Sequence, residues 1–314
     1  MLVERHTIGI DVGGTKIAFG LFDEDRRLLT TLRVPTPQEL DAEAFLAYLA
    51  QKAKSIGLRR NLSGVGIGLP CFIRQPEGHI IKSSNIPALR DVRAKALLEQ
   101  LLPGVAIAIG NDTHAAGLAE SRHGAGKAFS NILYCSVSSG ISSAPILSGK
   151  LFLGSYGFAG ESGHMIATPG QGLHCPCGKQ GCYMSWCSGH MIVRHIQQWI
   201  AEGGKTRMLD LADGNPEWIT TVELREAWEK GDAMAARAVE QMQQFFALWF
   251  FNLYTFTNIN CFVLGGGLLY MGETFWNEVY RRFYDMEDGG CPVFFERASL
   301  GDDVGTIGAN ELLY

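Results

Sequence analysis

Two β-rich runs in this 314-residue chain empty directly into glycine, and no other feature constrains the fold as much. The first is Ile10-Asp11-Val12-Gly13-Gly14-Thr15-Lys16, and the second is Val263-Leu264-Gly265-Gly266-Gly267. Glycine lets backbone N–H groups approach a phosphate closely, Thr15 adds a hydroxyl donor, and Asp11 could hold a metal ion. The triple glycine after a buried strand could form a shelf for a nucleotide base or ribose. The residues alone leave the bland readings open, a hairpin turn for the first run and a close helix–sheet contact for the second. There are 38 glycines and only 11 prolines, with no collagen-like or low-complexity repetition, so the glycine belongs to turns and loops.

The segments around these runs alternate between strand and helix. Thr7–Asp11, Ile17–Phe22 and Leu28–Val34 read as strands that open the chain in antiparallel hairpins. Phe45, Leu49, Ala53 and Ile56 recur at helical spacing, and Val65–Leu69 reads as a short buried strand. Asp91 is expected to cap a helix reaching Leu102, before a strand at Val105–Ile109. A second round starts with the strand Ile132–Val137 and a hairpin turn at Ser148-Gly149. Helices are predicted over Ser188–Glu202 and Thr221–Lys230, the latter opened by a capping box of Thr220 and Glu223. Residues 203–219 read as a polar surface loop. Ala235, Val239, Met242, Phe246, Trp249, Leu253 and Phe256 step by four and three, as a core or subunit-interface helix does. The buried strand Cys261–Leu264 follows. Such alternation predicts an α/β fold, and a length about twice that of a typical domain predicts two domains.

Composition excludes several function classes. At 46% hydrophobic and 19% charged residues, the chain can fill a large core and is not a disordered linker. The net charge of −5 lacks the basic excess of a protein that neutralises nucleic-acid phosphates. No apolar run approaches the ~18 to 20 residues needed to span a membrane. The start, Met1-Leu2-Val3-Glu4-Arg5-His6, carries charge where a signal peptide needs an apolar region, so a cytoplasmic protein is expected.

Two further constellations carry chemistry. His164 with Cys175, Cys177 and Cys182 supplies one imidazole and three thiols, the closed tetrahedral set of a structural Zn²⁺ site, with reduced thiols and no metal as the alternative. Asn111-Asp112 follows a strand, where an aspartate can serve as a general base or simply cap a helix.

In this order, the motifs closely resemble those of the ROK (repressor, open reading frame, kinase) sugar kinases, from Ile8 to about Ala309. The first glycine loop is similar to the family's Asp-x-Gly-Gly-Thr phosphate motif. Val65–Pro70 and Ser84-Asn85-Ile86-Pro87 resemble its sugar-contacting segments, and Asn111-Asp112 its catalytic pair. Glu161-Ser162-Gly163-His164 resembles the Glu-x-Gly-His element, and Cys175–Cys182 the Cys-x-Cys-Gly-x-x-Gly-Cys zinc signature.

The resemblance implies a two-domain actin/hexokinase-like (ribonuclease H-like) fold with a cleft between the domains. One domain would span 1–115, completed by the C-terminal helix 304–314, and the other, with the zinc loop, would span 116–303. It implies a sugar held by Gly68, Asn85, Asn111, Asp112, Glu161 and His164, with Asp112 as general base towards a hydroxyl, usually that on C6. ATP and Mg²⁺ would be held by Asp11, Gly13, Gly14, Thr15, Lys16, Ser139, Gly140, Gly265, Gly266 and Gly267. Structural Zn²⁺ would sit on His164, Cys175, Cys177 and Cys182. A homodimer is expected, with apolar surface supplied by the stripe ending at Phe256 and by Phe250 and Phe251 beside it. The small-molecule sugar is the expected partner, with no nucleic acid and no membrane. The first strand is reached by Thr7, so the DNA-reading module of the family's repressors is not expected.

Two places depart from the family pattern. Met184 stands where a sugar-contacting glutamate is usual, and Ser138-Ser139-Gly140-Ile141-Ser142-Ser143-Ala144 replaces a Gly-Thr-Gly-x-Gly-x-Gly phosphate loop. An apolar pocket wall at Met184 would make glucose or an N-acetylhexosamine a poor substrate. The second expectation for function is a sugar-binding regulatory protein with little turnover.

Overall fold

The computed structural model describes residues 5–57, 61–83 and 85–314. Met1–Glu4 of the charged start and Ser84 of the Ser84–Pro87 segment therefore lie outside the described residues.

The chain opens with β1 (Arg5–Val12), β2 (Lys16–Phe22) and β3 (Leu28–Pro35), paired as two successive antiparallel hairpins. Helix α1 (Ala42–Gly57) leads to β4 (Asn61–Leu69), which runs parallel to β1. Strands β5 (Cys71–Arg74), β6 (His79–Ser83) and β7 (Arg90–Val92) form a small antiparallel sheet. Helix α2 (Ala94–Leu101) precedes β8 (Ala106–Asn111), parallel to β4, and α3 (Asp112–Arg122) follows at once. The main sheet has the order β3-β2-β1-β4-β8. Its core face holds Ile8, Ile10, Val65 and Ile67 against Phe45, Leu49 and Ala53 of α1, the residues whose spacing predicts that helix.

The second round contains β9 (Ile132–Val137), β10 (Ile141–Leu147) and β11 (Lys150–Leu151). The turn between β10 and β11 has Ser148 at φ 50° and Gly149 at φ 71°, the left-handed pair of a tight hairpin. Helices α4 (Tyr183–Cys187), α5 (Gly189–Ala201), α6 (Met208–Leu211), α7 (Thr221–Glu229) and α8 (Ala233–Thr257) come next. Then follow β12 (Cys261–Gly265), α9 (Glu273–Tyr284), β13 (Phe294–Arg297) and α10 (Val304–Glu311). The second sheet has the order β11-β10-β9-β12-β13. Ser188 caps α5, and the Thr220–Glu223 capping box opens α7 as predicted.

Two compact units emerge. One takes the chain up to Tyr134 with Ala144–Gly160 and Glu296–Tyr314, and the other takes Cys135–Ser143 with Glu161–Phe295. A division at 115/116 would cut through α3. That helix stays whole in the first unit because α10 packs on it, with Gly308 so close that a Cβ there would meet the Ala115 carbonyl oxygen at 2.1 Å. Helix α10 also lies on β1 and β4 through Gly9 and Gly66, where any side chain would strike its backbone.

Three local expectations are corrected. Asp91 caps no helix: it lies in β7 with φ 53°, and its carboxylate meets His79 Nε2 at 2.8 Å on the neighbouring strand. Helix α2 starts after Arg93, without a side-chain cap. Residues 203–219 are more than a surface loop, since they hold α6 with Met208 fully buried. The Asp232 carboxylate ties this segment down by accepting the Arg207 N–H at 2.7 Å and the Thr206 hydroxyl at 3.1 Å. The stripe of α8 is buried from Ala235 to Leu253, but Phe256 is 89% exposed. Phe250 provides no spare surface, because it sits in the core against Phe262 and Phe295, and Phe251 packs against Phe283. Among the described residues, no helix is long and apolar enough to cross a membrane.

Candidate functional site

In the first unit, the carboxyl ends of three parallel strands stand side by side. Asp11 of β1 is opposite Gly68 of β4, and Gly68 is opposite Gly110 of β8. Ligands of open α/β sheets bind beyond these strand ends, where the backbone opens into loops. The turn Gly13-Gly14-Thr15 leaves β1 at that edge and closes with the Gly13 N–H donating to the Lys16 carbonyl at 2.9 Å. It is braced from outside. The Thr36 hydroxyl donates to the Gly13 carbonyl at 2.7 Å, the Thr36 N–H to the Thr15 carbonyl at 3.0 Å, and Gln38 Nε2 bridges the carbonyls of Gly14 and Asn85. Asn85 therefore lies against the glycine turn, and a Cβ on Gly14 would be 3.3 Å from its own Cβ. Thr36 and Gln38 carry no motif and were invisible in the sequence, since their contacts close across some 20 residues of chain.

Burial pushes the Asp11 carboxyl upward, and the charges of Lys16 and Arg33 partly offset that. Its side chain occupies the space that a Cβ on Gly305 would need, so the glycine at the start of α10 leaves room for the carboxylate.

The Asn111-Asp112 pair divides its duties. Asn111 is the N-cap of α3, its Oδ1 accepting the N–H groups of Thr113 at 2.9 Å and His114 at 3.2 Å. The capping role therefore falls to Asn111, and Asp112 is the first residue of the helix. Asp112 Oδ1 accepts the Thr113 N–H at 2.7 Å, which orients the carboxyl group. Gly68 packs beside the start of α3: a Cβ there would make ordinary contact, 3.7 Å from Asp112 Cα. The neighbouring Cys71 thiol is pushed up to about 12, first by burial and further by the Asp112 charge, against a lowering hydrogen bond to Ser83. Two residues on, His114 Nε2 donates to the Ala159 carbonyl at 2.7 Å, pinning the 152–160 segment to α3.

In the second unit, His164 Nδ1 and the Sγ atoms of Cys175, Cys177 and Cys182 lie within 4.8 Å of one another. Cys175 Sγ is 3.4 Å from His164 Nδ1, and Cys177 Sγ is 3.7 Å from Cys182 Sγ. Tetrahedral bonds of ~2.3 Å to sulfur and ~2.0 Å to nitrogen place donor atoms about 3.5 to 3.8 Å apart, so these spacings suit a closed four-ligand cation site. The other ring nitrogen, Nε2, faces Glu161 Oε2 at 4.0 Å. Glycine at 163 lets the turn pack closely on β10, because a Cβ would fall 2.2 Å from the Ile141 carbonyl oxygen. The Ser143 and Ser162 hydroxyls, 2.8 Å apart, tie this turn to β10.

The remaining glycine-rich pieces also converge within this unit. The Gly189 and His190 N–H groups at the start of α5 donate to the carbonyls of Ser138 at 2.8 Å and Ser139 at 3.1 Å. Gly265 ends β12. Gly266 has φ 115°, and a Cβ there would strike the Val137 carbonyl at 2.5 Å. Gly267 lies open beside the Ser138 hydroxyl. A cleft of about 660 Å³ extends from Ser139 and Gly267 past Arg194, Glu217 and Tyr270. The last three were not foreseen, because they come from separate helices and turns with no common pattern. Met184 lies against the Ser139–Ile141 loop, its sulfur 3.4 Å from the Ile141 nitrogen.

A family model described as the ROK family matches residues 7–314. The glucokinase of Streptomyces coelicolor is 30% identical over 314 residues, covering 98% of this chain and 96% of that relative. Among solved structures, a ROK family glucokinase from Streptomyces griseus in complex with glucose and AMPPNP is 30% identical, with 98% of both chains covered and a TM-score of 0.79. A ROK hexokinase from Thermus thermophilus is also 30% identical, with 98% of this chain and 97% of that one covered and a TM-score of 0.83. The fold is that of the actin/hexokinase class. With the glycine turn, the Asn111-Asp112 pair and the His/Cys cluster each built as described, the chain belongs to the ROK family.

Proposed function

We propose that this chain is a sugar kinase that moves the γ-phosphate of ATP to a sugar hydroxyl, that on C6 of a hexose or ketose, with Asp112 as general base. The observation that carries this reading is the row Asp11–Gly68–Gly110 at the strand ends, with Asp112 next in line and the capping duty resting on Asn111. The hydroxyl oxygen forms its bond to the γ-phosphorus as the bond from phosphorus to the β–γ bridging oxygen breaks. The hydroxyl proton passes to the Asp112 carboxylate, and the electron pair leaves on ADP. Positioning and charge stabilisation supply most of the rate in such a transfer. The turn Gly13-Gly14-Thr15, held rigid by Thr36 and Gln38, offers N–H groups and a hydroxyl to phosphate oxygens. Ser139, Gly140 and Gly265–Gly267 are the proposed nucleotide contacts of the second unit.

Asn85, Asn111, Glu161 and His164 are the proposed sugar contacts, with Asp112 at the reacting hydroxyl. The buried Asp11 carboxylate, raised by burial, is suited to a divalent cation, and Mg²⁺ there would offset phosphate charge. The donor set and spacing of His164, Cys175, Cys177 and Cys182 suit Zn²⁺, which would act structurally by fixing the imidazole through Nδ1. His164 Nε2 then reads a sugar hydroxyl beside Glu161. A homodimer belongs to the proposal, and sedimentation tests it.

A sugar-sensing regulator is the less favoured reading, since it needs no base beyond a strand end and the relatives reported above are named as kinases. Two measurements test the kinase. ADP release over glucose, mannose, allose, fructose and amino sugars should identify at least one substrate. Asp112→Asn should keep sugar affinity and lower kcat at least ~10²-fold. Normal turnover by that variant would remove Asp112 from the chemistry.

A further inference from the structure

The two departures from the family pattern touch each other. The Ile141 N–H, at the start of β10, donates to Met184 Sδ at 3.4 Å. Seen from the loop, a Cβ on Gly140 would lie 3.6 Å from both the sulfur and the methyl carbon of Met184. The loop closes above this contact, with the Ser138 N–H donating to the Gly140 carbonyl at 2.9 Å. Its far end is fastened by the Ser143–Ser162 hydroxyl pair, Ser143 standing between Ser142 and Ala144, two positions where the family pattern has glycine. We propose that Met184 is a positioning residue for the nucleotide-phosphate loop Ser139–Gly140, and that it sets nucleotide affinity instead of sugar choice. This rests on the reading of Ser139 and Gly140 as phosphate contacts.

The physical case is one of substitution. A loop rich in glycine fits itself round a phosphate through backbone freedom, and Ser142 and Ala144, where the pattern has glycine, remove much of that freedom. A loop of this kind must be held in its binding shape beforehand. The polarisable thioether can accept a weak hydrogen bond and fill an irregular gap under Gly140 at the same time. It brings no charge beneath a loop intended for an anion. A carboxylate in the same contact would repel the phosphate.

The test uses the full chain labelled with ¹³C at methionine methyls and ¹⁵N at isoleucine, with Met184 assigned through Met184→Leu. Adding AMPPNP should shift the Met184 methyl and the Ile141 amide, and adding glucose, or the best sugar of the panel, should leave both in place. By calorimetry, Met184→Leu should weaken ADP roughly three- to tenfold and leave sugar affinity within twofold. Met184→Gln, whose side-chain oxygen can accept the Ile141 N–H, should recover part of the loss. Shifts caused by sugar alone overturn the proposal, as does a tenfold change in sugar affinity with ADP binding unchanged, or no change in either. A wild-type chain that binds both ligands but forms no sugar phosphate would sink the kinase reading, while the shifts would still decide the role of Met184.

Discussion

Gly163 shows how narrow the tolerance is at single positions of the Glu161–His164 turn. A methyl group there would press into the Ile141 carbonyl oxygen, and that strand is itself tied to the turn through Ser143 and Ser162. Neither side can retreat without giving up a buried contact. Gly163→Ala should therefore cost about 1–3 kcal/mol, the usual range for overpacking, and should also loosen His164. A lower melting temperature with reduced metal content per chain is the expected result. A variant as stable and as metal-rich as the parent would show that the turn adapts. The Asn111-Asp112 pair makes the same point differently. Sequence alone left capping open for Asp112, and the two N–H groups accepted by Asn111 assign the cap to Asn111.

At the scale of elements, α8 separates what periodicity can and cannot see. Its step of four and three residues marks the face that packs inward, and Val239, Met242, Phe246 and Trp249 are all buried. Periodicity does not see that strands and helices also cover Phe250, which meets Phe262 and Phe295. Nor does it see that the helix outruns its cover at Phe256. Phe250→Ala should cost about 3–5 kcal/mol in urea unfolding, as truncation of a fully buried phenylalanine does. Phe256→Ala should change the free energy of a monomer by no more than ~0.5 kcal/mol. A large loss for Phe256→Ala, growing with protein concentration, would instead place that ring in an interface between copies.

The whole molecule should weaken in mild acid, and two buried imidazoles give the sign. Burial lowers the affinity of His114 and of His195 for a proton, and each donates to a backbone carbonyl, that of Ala159 or of Ser185. In the unfolded chain both titrate near the ordinary ~6.5. Below that pH the unfolded state binds protons that the folded state refuses, so stability falls as pH drops from about 6.5 towards the lowered folded values. It is fully retained above about 7. The slope approaches ~1.4 kcal/mol per pH unit for each histidine in the window. Urea melts at pH 7.5 and 5.5 should show this loss, and His114→Asn should flatten part of it; an unchanged slope would clear His114. The proposed zinc site gives the second global test. Elemental analysis should find one Zn²⁺ per chain, and chelation should disorder the 164–182 loop and weaken sugar binding through His164. Metal-free protein with full sugar affinity would contradict that.

Short-range chemistry was legible in the residues themselves. A strand emptying into Gly13-Gly14, the Thr220–Glu223 capping box, the Ser148-Gly149 turn and three cysteines around two glycines each depend on neighbours within a few positions. Local sequence determines such features because their partners lie within one turn or one loop. The tertiary structure alone decided the rest. It put Thr36 and Gln38 behind the glycine turn, assigned Asp91 to His79 instead of to a helix, and returned α10 to β1, β4 and α3. It also brought Met184 under Gly140. These contacts join residues tens to hundreds of positions apart, and no periodicity records which of many apolar or polar side chains will meet across that distance. Packing selects them, because few arrangements fill the core densely while pairing most of its buried polar groups.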